Sequence, residues 1–129
     1  MTESAPPQPG REPAFNVPGP VLLVVGTILG LYAVQSWIGP DWPYRFGLIP
    51  AHLWQGGALG LLTSMGVHGE WMHAGSNAVG ALAFGAPLAR RLGGDLRGYA
   101  LFIGFFLVSG VLSALGYALV NPGSRIPLI

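Results

Sequence analysis

Two histidines and an asparagine lie close together in the stretch HGEWMHAGSN, residues 68–77. His73 and Asn77 are four residues apart, so on an α-helix they lie on the same face. His68 precedes His73 by five residues, which places it at or just before the start of such a helix. Imidazole N–H and carboxamide NH2 groups can stabilise the alkoxide that forms when a carbonyl is attacked. The spacing is therefore compatible with an oxyanion-binding site.

Other uses of these side chains stay open on spacing alone. His73 and Asn77 could make interhelical hydrogen bonds that only fix helix packing. A zinc site would need a further ligand; His52 could supply one, but no carboxylate stands at a recognised spacing and HExxH is missing. A haem bound by His52 or His73 would need a second histidine on a facing helix, and the other long apolar segments contain none. We therefore predict no metal and no cofactor.

The composition favours a membrane protein. Of the 129 residues, 51% are hydrophobic and only 9% are charged, whereas a soluble domain carries about 25% charged residues. The net charge of +1 offers no basic surface for nucleic acid. Because the sequence contains no cysteine, disulfides and thiolate metal sites are excluded. We predict an all-α integral membrane protein that lies in the lipid bilayer, and we predict that it binds no nucleic acid.

Three apolar segments predict three transmembrane helices, at residues 21–38, 72–88 and 99–120. The first has 18 residues without a charge, which at about 1.5 Å per residue approaches the ~30 Å hydrocarbon core. The second is shorter and begins with polar residues. Residues 1–20 contain six prolines and predict a disordered cytoplasmic tail.

The connections between these helices differ in character. Residues 39–71 are rich in aromatic and aliphatic side chains, so we expect this segment to include short helical turns and to lie in the membrane interface. The turn after the second helix carries Arg90, Arg91 and Arg97. By the positive-inside tendency this turn is cytoplasmic, and so is the N-terminus.

Small residues recur at four-residue spacing in two of the predicted helices. Gly26 and Gly30 form a GxxxG pattern, and Gly110 with Ala114 gives the third helix a small face. Such faces allow close helix packing, although small residues are frequent throughout this chain.

The segment LLTSMGVHGEWMHAGSNAVGALAFGAPLARRLGG, residues 61–94, resembles the loop 1 and helix 2 region of the rhomboid intramembrane serine proteases. That family carries His-x4-His-x3-Asn here, with a tryptophan two residues before the second histidine. His68, Trp71, His73 and Asn77 stand in those positions. The resemblance implies that residues 21–129 are a partial rhomboid-like membrane domain, the N-terminal half of a six-helix bundle.

The resemblance also implies roles. His73 and Asn77 would line the oxyanion hole, and His68 would support loop 1 and the site. The substrates would be transmembrane proteins, cleaved by acyl transfer to a serine and then to water.

The family's nucleophile and general base are missing from these residues. The serine of the family lies in a Gly-x-Ser-Gly motif at the start of helix 4, and its base is a histidine on helix 6; neither occurs here. Ser109 is preceded two residues earlier by Leu107 rather than glycine, and we expect it to be a packing residue. We therefore expect a truncated or partial chain that is inactive alone and lacks a partner half carrying helices 4–6.

Two other functions remain as alternatives. Inactive rhomboid relatives bind transmembrane clients without cutting them, so the chain could be a binding module. It could also be a helical scaffold held together by packing alone. In each case we expect a multi-pass protein of the plasma (inner) membrane.

Overall fold

The structure, a computed structural model, describes residues 16–129. Its α-helices are α1 (Gly19–Ile38), α2 (Trp42–Phe46), α3 (Gly60–Thr63), α4 (Trp71–Leu92) and α5 (Leu96–Val120). Three short 3-10 helices, at Pro50–Gln55, Gly57–Leu59 and Ser64–Gly66, lie in the connection between α1 and α4. Within the described range there is no β-strand, only an isolated antiparallel bridge between Leu48 and Leu128. The predicted all-α class is confirmed for this part of the chain.

Two of the long helices, α1 and α5, are long and apolar enough to cross a membrane. Both carry outward-facing leucines: Leu22 and Leu23 on α1 and Leu112 and Leu119 on α5 are each more than half exposed. The third long helix, α4, has 22 residues but is less apolar and does not meet the same criterion. Length and composition thus identify two spanning candidates where the sequence predicted three spans.

The helix α1 begins at Gly19, two residues before the predicted start, so the end of the predicted tail 1–20 is helical. Pro20 explains the early start, because a proline in the first turn has no N–H to leave unpaired and its φ angle suits a helix. Residues 16–18 are irregular. The remainder of the predicted tail, residues 1–15, lies outside the described residues.

Both later helices also exceed their predicted limits. α4 covers residues 71–92 rather than 72–88, and Arg90 and Arg91 lie in its last turn, where cations interact favourably with the helix dipole. α5 begins at residue 96 rather than 99, because Asp95 accepts a hydrogen bond from the backbone N–H of Gly98 at 2.8 Å and caps the helix. The charged residues at which the predicted spans stopped can therefore lie within or next to the ends of the helices.

α4 lies antiparallel along α1. Near one end the Arg90 guanidinium donates a hydrogen bond to the carbonyl of Asn16 at 2.7 Å. Near the other end Trp71 packs edge-on against Tyr32, with ring centroids 4.7 Å apart. These contacts show that the two helices run side by side from the start of α1 to Tyr32.

Alanines on α4 allow this close approach. Ala74 and Ala89 are buried in one cluster with Val21, Val24 and Ile28 of α1. In contrast, a Cβ added to Gly26 or Gly30 would meet nothing within 4 Å. The expected packing role of the GxxxG pattern is therefore not seen in the described residues. The small residues at the contact between α1 and α4 are on α4 instead.

The helix α5 packs against two parts of the molecule: the α1–α4 pair and the connection between α1 and α4. Phe102, in its N-terminal half, joins the α1–α4 cluster, whereas Ala114 and Ala118 pack against Leu48 and Leu53 of the α1–α4 connection. The C-terminal segment returns across that connection: the Leu128 N–H donates to the Leu48 carbonyl at 2.7 Å, and the Ala51 N–H donates to the Ser124 carbonyl at 3.0 Å. The connection is thereby fixed to one end of the helix bundle.

Candidate functional site

His68 and His73 are neighbours, with ring centroids 5.2 Å apart and ring planes inclined at 64°. His73 lies in the first turn of α4, and His68 lies in the segment before it. Glu70, which precedes the helix, has an extended backbone (φ −157°, ψ 167°). The five-residue spacing thus brings the two imidazoles together across the start of the helix.

Gln35 of α1 holds the backbone of His68. Its Oε1 accepts a hydrogen bond from the His68 N–H at 3.2 Å, and its Nε2 donates to the His68 carbonyl. Gln35 is 5% exposed and His68 is 2% exposed. Because both backbone groups of a buried residue are satisfied by a single side chain, the carboxamide fixes where His68 sits relative to α1.

The aromatic ring of Tyr32 lies beside His68 on the α1 side. The Tyr32 ring lies edge-on to His68 at 6.4 Å and edge-on to Trp71 at 4.7 Å. Tyr32 is buried, and it lies one helical turn before Gln35 on the same face of α1. These contacts place the start of α4 against the end of α1.

The environment of His68 disfavours its protonated form. Burial and then the neighbouring His73 lower the pKa of His68 below its ordinary value of 6.5, and the nearby Gly66 carbonyl works in the opposite direction. The buried Nδ1 of His68 has no hydrogen-bond partner among the described residues. A neutral imidazole has one N–H donor and one acceptor nitrogen.

Asn77 lies one turn beyond His73 on α4, and its side chain is exposed, whereas that of His73 is half-buried. Residues four apart on a helix are neighbours on its surface. His73 and Asn77 therefore present their donors on one side of α4, and Asn77 lies on the part of that surface that no other described element covers.

The serines near this surface do not form a catalytic pair with a histidine. The Ser76 hydroxyl donates to the backbone carbonyl of His73 at 2.9 Å, a bond within the helix. Ser109, which we expected to be a packing residue, is exposed on α5. A nucleophilic serine needs a base within hydrogen-bond reach, and among the described residues no hydrogen bond joins a serine hydroxyl to a histidine ring.

His52, the further ligand weighed for a metal site, lies apart from the pair. It is exposed in the 3-10 helix Pro50–Gln55 and lines a separate pocket with Arg45 and Tyr44. Within residues 16–129, no three side chains of histidine, aspartate or glutamate gather closely enough to hold a metal ion.

The end of the chain reaches the histidine pair. A Cβ added to Gly69 would lie 2.8 Å from Cδ1 of Ile129, so Ile129 lies against the backbone between His68 and Glu70. The bridge between Leu48 and Leu128 holds this segment in place. The C-terminal segment thus runs up to the start of α4.

Gln35 and Tyr32 contact the site but were not predicted from the sequence as site residues. Both are polar side chains within an otherwise apolar segment, and they are three residues apart. Polar groups in a membrane helix usually turn inward to a partner. That signal was present in the sequence, although it does not identify His68 as the partner.

Comparison with protein families identifies a domain that covers most of the described chain. The family model of the Rhomboid domain matches residues 50–129, which is more than half of the chain. The matched range includes His68, all of α4 and all of α5, and it begins after α1. Comparison with curated proteins and with solved structures gives no significant match.

Proposed function

The chain belongs to the rhomboid family, and on that premise we propose that it supplies the oxyanion-binding part of an intramembrane serine endopeptidase. Such an enzyme cleaves the transmembrane segments of other membrane proteins. In this proposal His73 and Asn77 donate hydrogen bonds to the scissile carbonyl oxygen, and His68 supports them. The observation that carries the proposal is the contact between the His68 and His73 rings at the start of α4, with Asn77 one turn further along.

The chemistry of the site follows from charge that develops during the reaction. Attack on a peptide carbonyl places a negative charge on its oxygen, and donors already aimed at that position stabilise the charge without reorganising. The hydrogen bonds of Gln35 to the His68 backbone, and the position of His73 and Asn77 on one helix, support a site whose donors are in place before substrate binds. Removal of one such donor typically lowers the rate by about 10²–10³.

The nucleophile of the proposed reaction lies outside these 129 residues, which contain no Gly-x-Ser-Gly motif. Ile129 lies against Gly69, next to His68. A helix that carries the serine, whether joined at this point or supplied as a separate chain, would start beside the histidine pair. The exposed side of α4 with Asn77 would then face that helix.

We also propose that α4 is the third transmembrane helix, since it runs antiparallel along the candidate span α1 from Trp71 to Arg90. The start of α1 and the arginine-rich turn between α4 and α5 lie at the same end of the bundle. In the plasma membrane that end would be cytoplasmic by the positive-inside tendency. The α1–α4 connection and the histidine pair would lie toward the opposite side.

A binding module without catalysis is the second candidate. The surface of α4 carries Gly80, where an added Cβ would meet nothing within 4 Å, and the exposed Ala83; uncovered small residues of this kind allow another membrane helix to pack closely. In that case a transmembrane client would co-purify with the chain, and His73→Ala and Asn77→Ala would leave its retention unchanged.

Serine labelling tests the proposed function. The 129-residue chain is co-expressed with a fragment that carries helices 4–6 of a rhomboid protease, and the membranes are treated with a fluorophosphonate. We expect the fragment's serine to be labelled only when both chains are present. Labelling of the 129-residue chain alone, or a co-purifying pair that stays unlabelled, would contradict the proposal.

A further inference from the structure

An apolar groove runs between α1 and α5 beneath the α1–α4 connection. Its volume is about 540 Å³, within the range of about 300–1,000 Å³ that is typical of ligand pockets. Its walls include Leu23 and Leu31 of α1, Phe106 of α5 and Phe46 of the connection. From Leu23 to Leu31 the groove follows α1 for roughly 12 Å, at about 1.5 Å per residue.

A second, polar pocket of about 370 Å³ lies in the connection itself. The residues that line it include Arg45, His52 and Tyr44, and none of its lining residues is acidic. An arginine and a tyrosine at one cavity without an acid favour an anionic ligand, since both side chains can donate hydrogen bonds.

The two cavities are adjacent, because Phe46 and Thr63 line both of them. The Thr63 hydroxyl donates to the Phe46 carbonyl at 2.6 Å and also lies 3.1 Å from the Leu59 carbonyl. The polar group at the junction is therefore already satisfied, and an apolar chain that passes it leaves no donor unpaired.

We propose that the groove and the polar pocket together form a binding site for one anionic phospholipid. The groove takes part of an acyl chain, and Arg45 binds the phosphate with Tyr44 and His52 beside it. An arginine guanidinium matches phosphate with two parallel hydrogen bonds, and basic side chains attract anionic lipid headgroups.

The direction of the site fits a lipid. The polar pocket lies wholly in the connection that follows the end of α1, whereas the groove follows α1 from Leu31, near the middle of the helix, to Leu23, near its start. A phospholipid at the membrane surface has the same arrangement, with its phosphate outside and its chains pointing to the bilayer centre. The site uses none of the proposed oxyanion residues, so a test of lipid binding does not depend on the proposed protease activity.

Native mass spectrometry of the 129-residue chain, released from detergent with equal amounts of phosphatidylglycerol and phosphatidylcholine of the same acyl chains, tests the headgroup. We expect the chain to retain phosphatidylglycerol in preference to phosphatidylcholine. Arg45→Gln should lower that ratio about tenfold, the loss expected for one charged hydrogen-bonded contact. Arg125→Gln, which removes an exposed arginine that lines neither cavity, is the matched control and should leave the ratio unchanged.

A pair of adjacent leucines tests the groove. Leu23 and Leu22 are 57% and 54% exposed, but only Leu23 lines the groove. Leu23→Trp should abolish retention of both lipids, whereas Leu22→Trp should behave as the wild type. Far-UV circular dichroism checks that the variants fold. If Leu23→Trp does not fold, the comparison of Arg45→Gln with Arg125→Gln still tests the proposed lipid site.

Three results would overturn the proposal. Equal retention of the two lipids by the wild-type chain would show that the chain has no site for an anionic headgroup. Displacement of the lipid by inorganic phosphate alone would show that the groove is not part of the site. A dimer without bound lipid, which Leu23→Trp converts to a monomer, would show that a second copy of the chain fills the groove.

Discussion

The side chain of Gln35 makes two hydrogen bonds to the backbone of His68, one to its N–H and one to its carbonyl. The two residues are 33 positions apart and belong to α1 and to the segment before α4. Because His68 in turn contacts His73, the position of the proposed oxyanion site depends on a helix that contributes none of its donors.

Replacement of Gln35 by leucine should destabilise the fold. The buried N–H and carbonyl of His68 would each lose a partner, at a cost of about 1–3 kcal/mol per group. Denaturant unfolding in detergent micelles measures the change. Gln55→Leu, at an exposed glutamine in the α1–α4 connection, is the control, and equal effects of the two substitutions would show that the Gln35 hydrogen bonds do not matter.

The lowered pKa of His68 predicts how stability depends on pH. In the unfolded chain His68 has its ordinary pKa of 6.5, and in the folded protein burial and His73 lower it. Above pH 6.5 the ring is neutral in both states, so it adds no pH dependence. Below that pH the unfolded state takes up the proton more readily, and the free energy of unfolding falls until the pH passes the folded pKa.

His68→Phe isolates this effect, since it keeps an aromatic ring beside Tyr32 and His73 but cannot titrate. Unfolding measured at about pH 7.5 and about pH 5.5 should show a smaller loss of stability for the variant than for the wild type. Titrating groups that do not interact with His68 are common to both proteins and cancel. Identical losses would mean that His68 has the same pKa in both states.

The stability of the turn between α4 and α5 should depend on a glycine at residue 98. A Cβ there would overlap the carbonyl oxygen of Gly93, and Gly98 also donates the hydrogen bond that Asp95 accepts at the helix start. Gly98→Ala should therefore lower the free energy of unfolding by about 1–3 kcal/mol, as overpacking does.

Gly104→Ala on the same helix is the matched control. A Cβ at Gly104 meets nothing within 4 Å, so alanine should be neutral or stabilise by up to about 1 kcal/mol through its higher helix propensity. If both substitutions changed stability equally, the close approach of Gly93 and Gly98 would have no energetic role.

The proposed topology can be tested with single cysteines, because the chain contains none of its own. Gly94 and Gly123 are both exposed, and a side chain at either would meet nothing within 4 Å. With a membrane-impermeant maleimide added from outside the cell, Gly123→Cys should react and Gly94→Cys should react only after the membrane is opened. The reverse pattern would invert the orientation inferred from the arginines.

Local patterns in the sequence predicted the parts of the fold that depend on local physics. Charge-free apolar runs placed α1 and α5 to within three residues at each end, because hydropathy and helix length decide such segments. The five-residue spacing predicted His68 at or just before the start of the helix that carries His73, and His68 lies in the segment before α4. The contact between the two imidazole rings was not predicted.

Contacts between distant segments could not be predicted in this way. The hydrogen bonds of Gln35 to His68 and the bridge between Leu48 and Leu128 join residues without a shared period. The expected packing role of Gly26 and Gly30 was wrong for the described residues, because alanines on α4 provide the close approach to α1. A pattern of small residues shows that close packing is possible, but not which helix supplies it.

The cleavage rate of the reconstituted enzyme tests the central claim most directly. With a transmembrane substrate and the helix 4–6 fragment, His73→Ala and Asn77→Ala should each lower kcat by about 10²–10³ with little change in KM. Ser76→Ala, which alters an exposed residue next to Asn77 whose hydroxyl bonds only the His73 carbonyl, should cleave like the wild type. If His73→Ala and Asn77→Ala cleaved as fast as Ser76→Ala, these residues would not be the oxyanion donors.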